Sequence, residues 1–332
     1  MDRMRSYLTS LLVIAWAVSV APGQVLNTSL ITSTSLITSD PDWPVLQSTI
    51  YDPVCDQQSC DQDLGNLEPE LSRYKKQALQ SFAISAGSLA DVGDTNFNNH
   101  HLDVSIGSGI PLGSFDNILG ITPRFRVDWI DGGASFDVPD ELYQFELQFF
   151  YRRPISDRLS LIAIISPSLR SDLTTEDEAM RIFALGLLNW EYIPERLTLS
   201  GGAVFLDRAD VPVLPAMGLM WTPNRFTRLD LRFPTSKFSR RLAKDRSRSE
   251  HWAYLSGGLG GNTWAITNSL GETDEISLRD FRLTLGIEKI VDGGGGWFAE
   301  SGYALSRRIA FERSEDQIEL SNAGFIQAGW RY

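Results

Sequence analysis

The sequence predicts an all-β chain, a transmembrane antiparallel up-and-down β-barrel of about 14 strands, with 12 as the fallback count. Three observations carry this. Apolar and polar residues alternate with a period of two in segment after segment from Gln77 onward. Short and long connections alternate between those segments, as they do in barrels with tight turns at one end and longer loops at the other. Beyond the N-terminus, no apolar run is long enough to cross a bilayer as a helix.

Several strands are clean in period. Tyr143, Phe145, Leu147, Phe149 and Tyr151 alternate with Gln144, Glu146 and Gln148, and Phe125, Val127 and Trp129 alternate with Arg124, Arg126 and Asp128. Leu229, Leu231 and Phe233 alternate with Arg228, Asp230 and Arg232, and Phe281, Leu283, Leu285 and Ile287 with Arg282, Thr284 and Glu288. A helix would scatter these side chains around its circumference, whereas a pleated strand separates them. Segments of about ten residues suffice for a tilted membrane strand, against about five or six in soluble sheets. That length weighs against a secreted sandwich or jelly roll.

Short turns are expected at 112–117, 153–157, 193–195, 222–225, 258–261 and 292–296, where the four glycines from Gly293 to Gly296 make a turn rather than a phosphate loop. Longer loops are expected at 91–99, 131–140, 171–179, 207–211, 235–250, 269–277 and 312–320. Trp129, Tyr143, Tyr151, Trp190, Tyr192, Trp221, Trp252, Trp297, Trp330 and Tyr332 stand close to strand ends, as interfacial girdles would.

Ahead of the barrel, Arg3 and Arg5 precede an apolar stretch at 8–20, and Ala21 and Gly23 sit where a cut before Gln24 needs small residues. Residues 1–23 therefore read as a secretory signal, since about 20 apolar residues are needed for a spanning helix. Residues 24–76 are rich in Ser, Thr, Pro and Asp, repeat TSLITS at 28–33 and 34–39, and lack the apolar mass for a core; they read as a flexible periplasmic extension. Residues 77–332 form the barrel. Cys55 and Cys60 could close a small disulfide in an exported compartment, and with no nearby His they supply only half of a tetrahedral metal shell.

Composition agrees. A mean hydropathy of −0.13 excludes a helical membrane protein, and a net charge of −12 removes any footprint for nucleic acid. Only 5 of the 30 basic residues are Lys. Arg suits a crowded lumen, where it can hold carboxylates bidentately.

The final segment, AGFIQAGWRY, puts Ile326, Ala328, Trp330 and Tyr332 on one face and Gln327, Gly329 and Arg331 on the other. This amphipathic strand ending on an aromatic residue resembles the C-terminal signature of bacterial outer-membrane β-barrel proteins. The resemblance implies location in the bacterial outer membrane, contact with outer-membrane lipid, and recognition by barrel-assembly machinery. Segments 215–224 (PAMGLMWTPN) and 228–237 (RLDLRFPTSK) resemble an uncharacterised outer-membrane barrel family grouped as a domain of unknown function. That resemblance implies fold and location, with no catalytic residue and no cofactor.

If the apolar stripes face lipid, the opposite stripes bring Arg124, Arg126, Asp128, Glu146, Arg228, Asp230, Arg232, Arg282, Glu288, Glu300 and Arg331 into one interior. Arg124 and Arg126 should then lie beside Glu146 and Gln144. Such a wall supports a pore or transport path for small solutes, or else an interlocked network that makes a closed structural or surface-interaction barrel; strand number does not decide between them. An outer-membrane lipid hydrolase is the weaker reading. Its best constellation, His101, Asp103 and Ser105, separates base from nucleophile by four residues, about 13 Å along a strand, too far for direct proton transfer. No enzyme and no metal cluster are expected. The basic stretch 237–248 sits in the longest expected outer loop, where it could meet anionic glycolipid.

Overall fold

The computed structural model describes residues 27–28, 71, 75–113, 117–175, 177–205, 213–232, 235–313 and 317–332. The expected signal, most of the extension with Cys55 and Cys60, and Phe233 lie outside the described residues.

A two-residue pairing of β1 (Asn27–Thr28) with β2 (Lys75–Lys76) precedes the barrel. The strands that follow are β3 (Leu79–Asp91), β4 (Asn98–Pro111), β5 (Ile118–Asp131), β6 (Glu141–Ser156), β7 (Leu159–Ser171), β8 (Met180–Ile193), β9 (Leu197–Phe205) and β10 (Val213–Asn224). The chain continues through β11 (Thr227–Arg232), β12 (Thr235–Asp245), β13 (Ser249–Gly260), β14 (Thr263–Thr267), β15 (Thr273–Val291), β16 (Gly296–Phe311), β17 (Gln317–Glu319) and β18 (Ala323–Arg331). Fourteen of these form a closed antiparallel wall, each pairing with its neighbours in sequence once β14 and β17 are set aside. Closure comes from β18 against β3, in register from Ala323↔Asp91 to Arg331↔Ala83. Closing the wall pairs β18 with β3, so neither is left as an open edge of it.

The wall is inside-out relative to a soluble protein. Its outer face exposes Ile84, Ile106, Leu188, Leu231, Leu255, Leu285 and Ile326, while Asp103, Asp128, Gln144, Glu146, Asp230 and Glu300 are buried on the inner face. Register makes the separation continuous: Asp128 is opposite His101 and Leu142, and Glu300 is opposite Gly286 and Gln327. Trp190, Tyr192, Trp221, Trp297, Trp330 and Tyr332 stand exposed toward the tight-turn end, and Trp297 pairs directly with Trp330 across strands. Trp252 departs from the expected girdle. It is buried, faces inward, and donates from Nε1 to Glu250 at 2.9 Å.

The expected count of 14 holds, but two stretches are distributed differently. Residues 235–250 are not an outer loop. They form β12, a tight turn, and the start of β13, because Lys237, Ser239 and Arg241 alternate inward against Phe238 and Leu242. The side chains of Lys237, Arg241 and Lys244 are buried in the lumen wall, whereas Arg240 is exposed on the outer side of β12 and Arg246 and Arg248 in the tight turn, so this basic stretch is not an outer loop. Gly258 to Gly261 is not a tight turn either. It is the top of β13, where Gly261 takes a left-handed φ of 97° and the chain leaves the wall.

That departure builds a second layer. Above the wall, β14, the upper part of β15, the upper part of β16 and β17 form a four-stranded leaf. The leaf bends where β16 carries one residue more than β15, between the pairs Phe281↔Leu305 and Arg279↔Arg308. Ser306, with φ 50°, occupies this bulge, and bulges of this kind turn a strand sharply. Under the leaf, Phe97, Ile130, Val138, Leu142, Trp264, Ile266, Ile276, Ile309 and Leu320 form one apolar cluster. Burying such side chains contributes about 1.5–3 kcal/mol each, which supplies the leaf with a core of its own.

Candidate functional site

On one side the lumen is lined by charges that are already paired. The commonest unit is an Arg and an Asp two residues apart on one strand face, where side chains of a strand point the same way. Arg126 donates to Asp128 at 2.7 and 2.6 Å, Arg282 to Asp280 at 2.8 and 3.1 Å, and Arg232 Nε to Asp230 at 2.6 Å. Bidentate pairing of this kind is the strong form of the interaction. Arg124 binds Asp103 on the next strand. Lys237 lies 3.3 Å from Glu288, and Glu250 receives Arg241 at 3.1 Å.

The candidate residues are thus brought together. Arg124 and Arg126 stand directly opposite Glu146 and Gln144, as expected, and they also bind Asp103 and Asp128. Glu146 accepts from Gln144 at 3.0 Å. Arg228 places its guanidinium 5.6 Å from the Trp252 ring centroid, and Arg331 sits between Ala83 and Gly296 at the tight-turn end. At that end the Lys75 Nζ lies 3.1 Å from the Tyr332 ring centroid, and burial lowers the Lys75 pKa. Glu300 accepts from Tyr254 Oη at 2.5 Å and from Gln327. Tyr254 fits only because glycine is opposite: a methyl group at Gly286 would run into its ring.

His101, Asp103 and Ser105 share the inner face as expected, but Asp103 is held by Arg124 and does not orient the imidazole. Three carboxylates that no sequence spacing connects, Glu178, Glu275 and Glu312, bring oxygens within 4.8 Å of one another. Arg181 supplies a cation to Glu275 there.

The other side of the lumen was not anticipated. Across five strands the inner wall is apolar in one continuous row, Phe150↔Ile164↔Leu185↔Val204↔Leu214, each residue directly opposite the next. A second row below it runs Ile162↔Leu187↔Gly202↔Ala216. Their signal in the sequence is the near-continuous apolar run of 159–165 and 182–188, which marks a strand apolar on both faces rather than an alternating one.

The leaf crosses the mouth above both sides. β15 and β7 stand halfway round the wall from each other in either direction, yet β14, hydrogen-bonded to β15, forms a parallel bridge to β7 at Ala265↔Ser171. Asp172 accepts from the Thr267 N–H at 3.0 Å, Thr174 bonds Thr267 at 2.6 Å, and Arg181 pairs with Glu275. Asn262 bridges the far wall, accepting from Arg170 at 2.9 Å and donating to Gln144 at 3.1 Å. The β14–β15 hairpin is therefore a strap fixed at both rims. Beneath it lies a cavity of about 50 Å³ lined by Arg126, Asp128, Asp280, Arg282, Arg307 and Trp264 among others.

A sequence profile described as a domain of unknown function, DUF6268, matches residues 135–314, more than half of the chain. The chain belongs to the DUF6268 family. No curated protein matches this DUF6268 chain. Among solved structures it is similar to the β domain of the Bordetella autotransporter BrkA, at 11% identity and a TM-score of 0.36 over 77% of this chain and 99% of that one. It is also similar to a mutant of the TodX monoaromatic hydrocarbon channel, at 9% identity and 0.35 over 76% and 88%. A third similarity is to the translocator domain of autotransporter NalP from Neisseria meningitidis, at 15% identity and 0.31 over 77% and 89%.

Proposed function

We propose that this DUF6268 protein is an outer-membrane barrel that passes small solutes through its lumen, with the strap as the closure at the loop end. The observation that carries the reading is the partial exposure of inward-facing residues on β8. Phe183, Leu185, Asn189 and Glu191 all point into the barrel, yet each remains part-exposed. On the charged side, Asp128, Gln144, Glu146 and Gln148 on β5 and β6 are buried, so the accessible space lies on the β8 side of the lumen.

In this reading residues 1–23 direct export and 24–76 form a periplasmic extension in which Cys55 and Cys60 are free to pair. The exposed apolar face of the wall meets outer-membrane lipid, and the terminal strand 323–332 is the segment that the barrel-assembly machinery engages. The lumen-facing charges act as a fixed lining, and no catalytic step is assigned to them.

Planar-bilayer conductance and liposome swelling with refolded protein test the function, after heat-modifiable gel migration has tested the barrel. Conductance that rises when residues 263–272 are replaced by a short linker supports strap closure. A barrel that stays silent with and without the strap is a closed structural body, the alternative that the apolar cluster under the leaf favours.

A further inference from the structure

At the border between the apolar rows and the strap, three buried hydrogen-bond donors point into the lumen with no partner among the described residues: Ser166 Oγ, Arg170 Nε and Arg181 Nε. They belong to adjacent strands. Ser166 is opposite Phe183, and Ser168, two residues on, is opposite Arg181. Ser166 is 1% exposed. Leaving a buried donor unmet is costly, and native interiors rarely do so without a reason. The terminal groups of both guanidiniums are already engaged from above, Arg170 by Asn262 and Arg181 by Glu275 of the strap. Glu146, opposite Ser168, and Glu275, with Glu178 and Glu312 beside it, are acids close to this cluster. What is left over is therefore a set of unmet donors on the inner face of β7 and β8, at the upper edge of the apolar rows.

The inner wall below these donors is apolar. The row Phe150, Ile164, Leu185, Val204 and Leu214 begins immediately beneath Ser166, and about 4.8 Å between neighbouring strands makes it about 19 Å wide. Donors at one edge and an apolar surface beyond it fit a molecule with an acceptor head and a hydrocarbon body. A carboxylate is the head that guanidinium and hydroxyl donors satisfy together.

We infer that the lumen holds a binding site for small amphipathic carboxylates, with the head on Ser166, Arg170 and Arg181 and the body on the Ile164–Leu185 row. The inference rests on the solute-passing reading above and names its substrate class. It also couples the site to the closure, since the same two arginines hold the strap.

The test uses the full-length mature protein in lipid nanodiscs and isothermal titration with 4-phenylbutyrate, 4-phenylbutylamine and acetate. The expected result is binding of phenylbutyrate at least about tenfold tighter than of either control. The first control keeps the body and reverses the head, and the second keeps the head and removes the body. Arg170→Leu and Ser166→Ala should each weaken phenylbutyrate while retaining heat-modifiable migration, Arg170→Leu by about tenfold and Ser166→Ala by less. If Arg170→Leu loses the barrel, Ser166→Ala together with Leu185→Asn decides. Equal binding of phenylbutyrate and phenylbutylamine, or phenylbutyrate binding unchanged in the folded variants, overturns the site and leaves partition into lipid. Binding as expected in a barrel with no conductance upholds the site and removes only the transport reading.

Discussion

Ala265 and Ser171 form a parallel bridge across the mouth of the barrel, joining the side where β15 stands to the side where β7 stands. Paired strands lie about 4.8 Å apart, within the Cα range a disulfide spans. Ala265→Cys with Ser171→Cys, in a background with Cys55 and Cys60 changed to Ser, should therefore oxidise readily. Conductance should fall on oxidation and return with reductant. Two thiols that stay reactive to maleimide under oxidant would show that the strap does not rest on β7.

Asp172 is the residue on which the far rim of that strap depends. It accepts from the backbone N–H groups of Thr267 at 3.0 Å and Thr174 at 2.9 Å, and from the Thr174 hydroxyl. Asp172→Ala removes the part-buried bond from the Thr267 N–H and the exposed bonds from Thr174, a loss of about 0.5–1.5 kcal/mol for the first, confined to the strap and its rim. Hydrogen exchange should quicken at 263–277 with the wall strands unchanged, a pattern of local rather than global opening. Exchange that quickens everywhere, or nowhere, would contradict this role.

Lys237 tests the placement of the basic stretch. Its ammonium is 3.7 Å from the Tyr254 ring centroid and 3.3 Å from Glu288, inside the wall. A bulky sulfonated amine reagent should leave Lys237 unmodified in the native barrel and label it after unfolding. Labelling in the native state would return residues 237–248 to an outer loop.

Lys237 also shows where reading the sequence stops. Strands with one apolar and one polar face, such as 143–151 and 281–288, are legible because the two-residue period separates their faces, and the terminal strand 323–332 is legible for the same reason. β12 was missed because its inward face is basic, and a run such as KFSRRLAKD looks like a solvated loop until Glu288 and Glu250 are known to lie opposite it. The apolar rows of β7 and β8 were missed for the converse reason. Their outward and inward residues are both apolar, so no alternation remains to read. The strap could not be foreseen at all, since Ala265 meets Ser171 from a distant part of the chain, and only the closed wall brings them together.

Trp264 and Trp330 separate the two kinds of apolar burial in this barrel. Trp264 is 2% exposed in the cluster beneath the leaf, whereas Trp330 is 47% exposed on the outer face. Trp264→Ala opens a cavity and should destabilise the leaf by about 3–5 kcal/mol, seen as protease cleavage within 268–272 while the wall stays resistant. Trp330→Ala leaves that cluster intact, so the leaf should resist protease as in the parent. Equal cleavage of the two variants would mean that the leaf has no core of its own.

Tyr254 and Gly286 give the most direct check on the inner wall. The Tyr254 ring lies over Gly286 on the neighbouring strand and its hydroxyl reaches Glu300 beyond, at 2.5 Å. Gly286→Ala forces the ring away, costing about 1–3 kcal/mol as overpacking. Tyr254→Phe keeps the ring and strips a hydrogen bond from buried Glu300, for another loss of about 1–3 kcal/mol. The combination of Gly286→Ala with Tyr254→Ser should recover part of the packing loss, because the clash disappears with the ring, whereas Gly286→Ala with Tyr254→Phe should recover none of it. Urea unfolding in lipid of the two combinations and of the three single variants, Tyr254→Ser included, reads these differences as a coupling between neighbours. Additive losses in both combinations would place Tyr254 on the outer face of the wall.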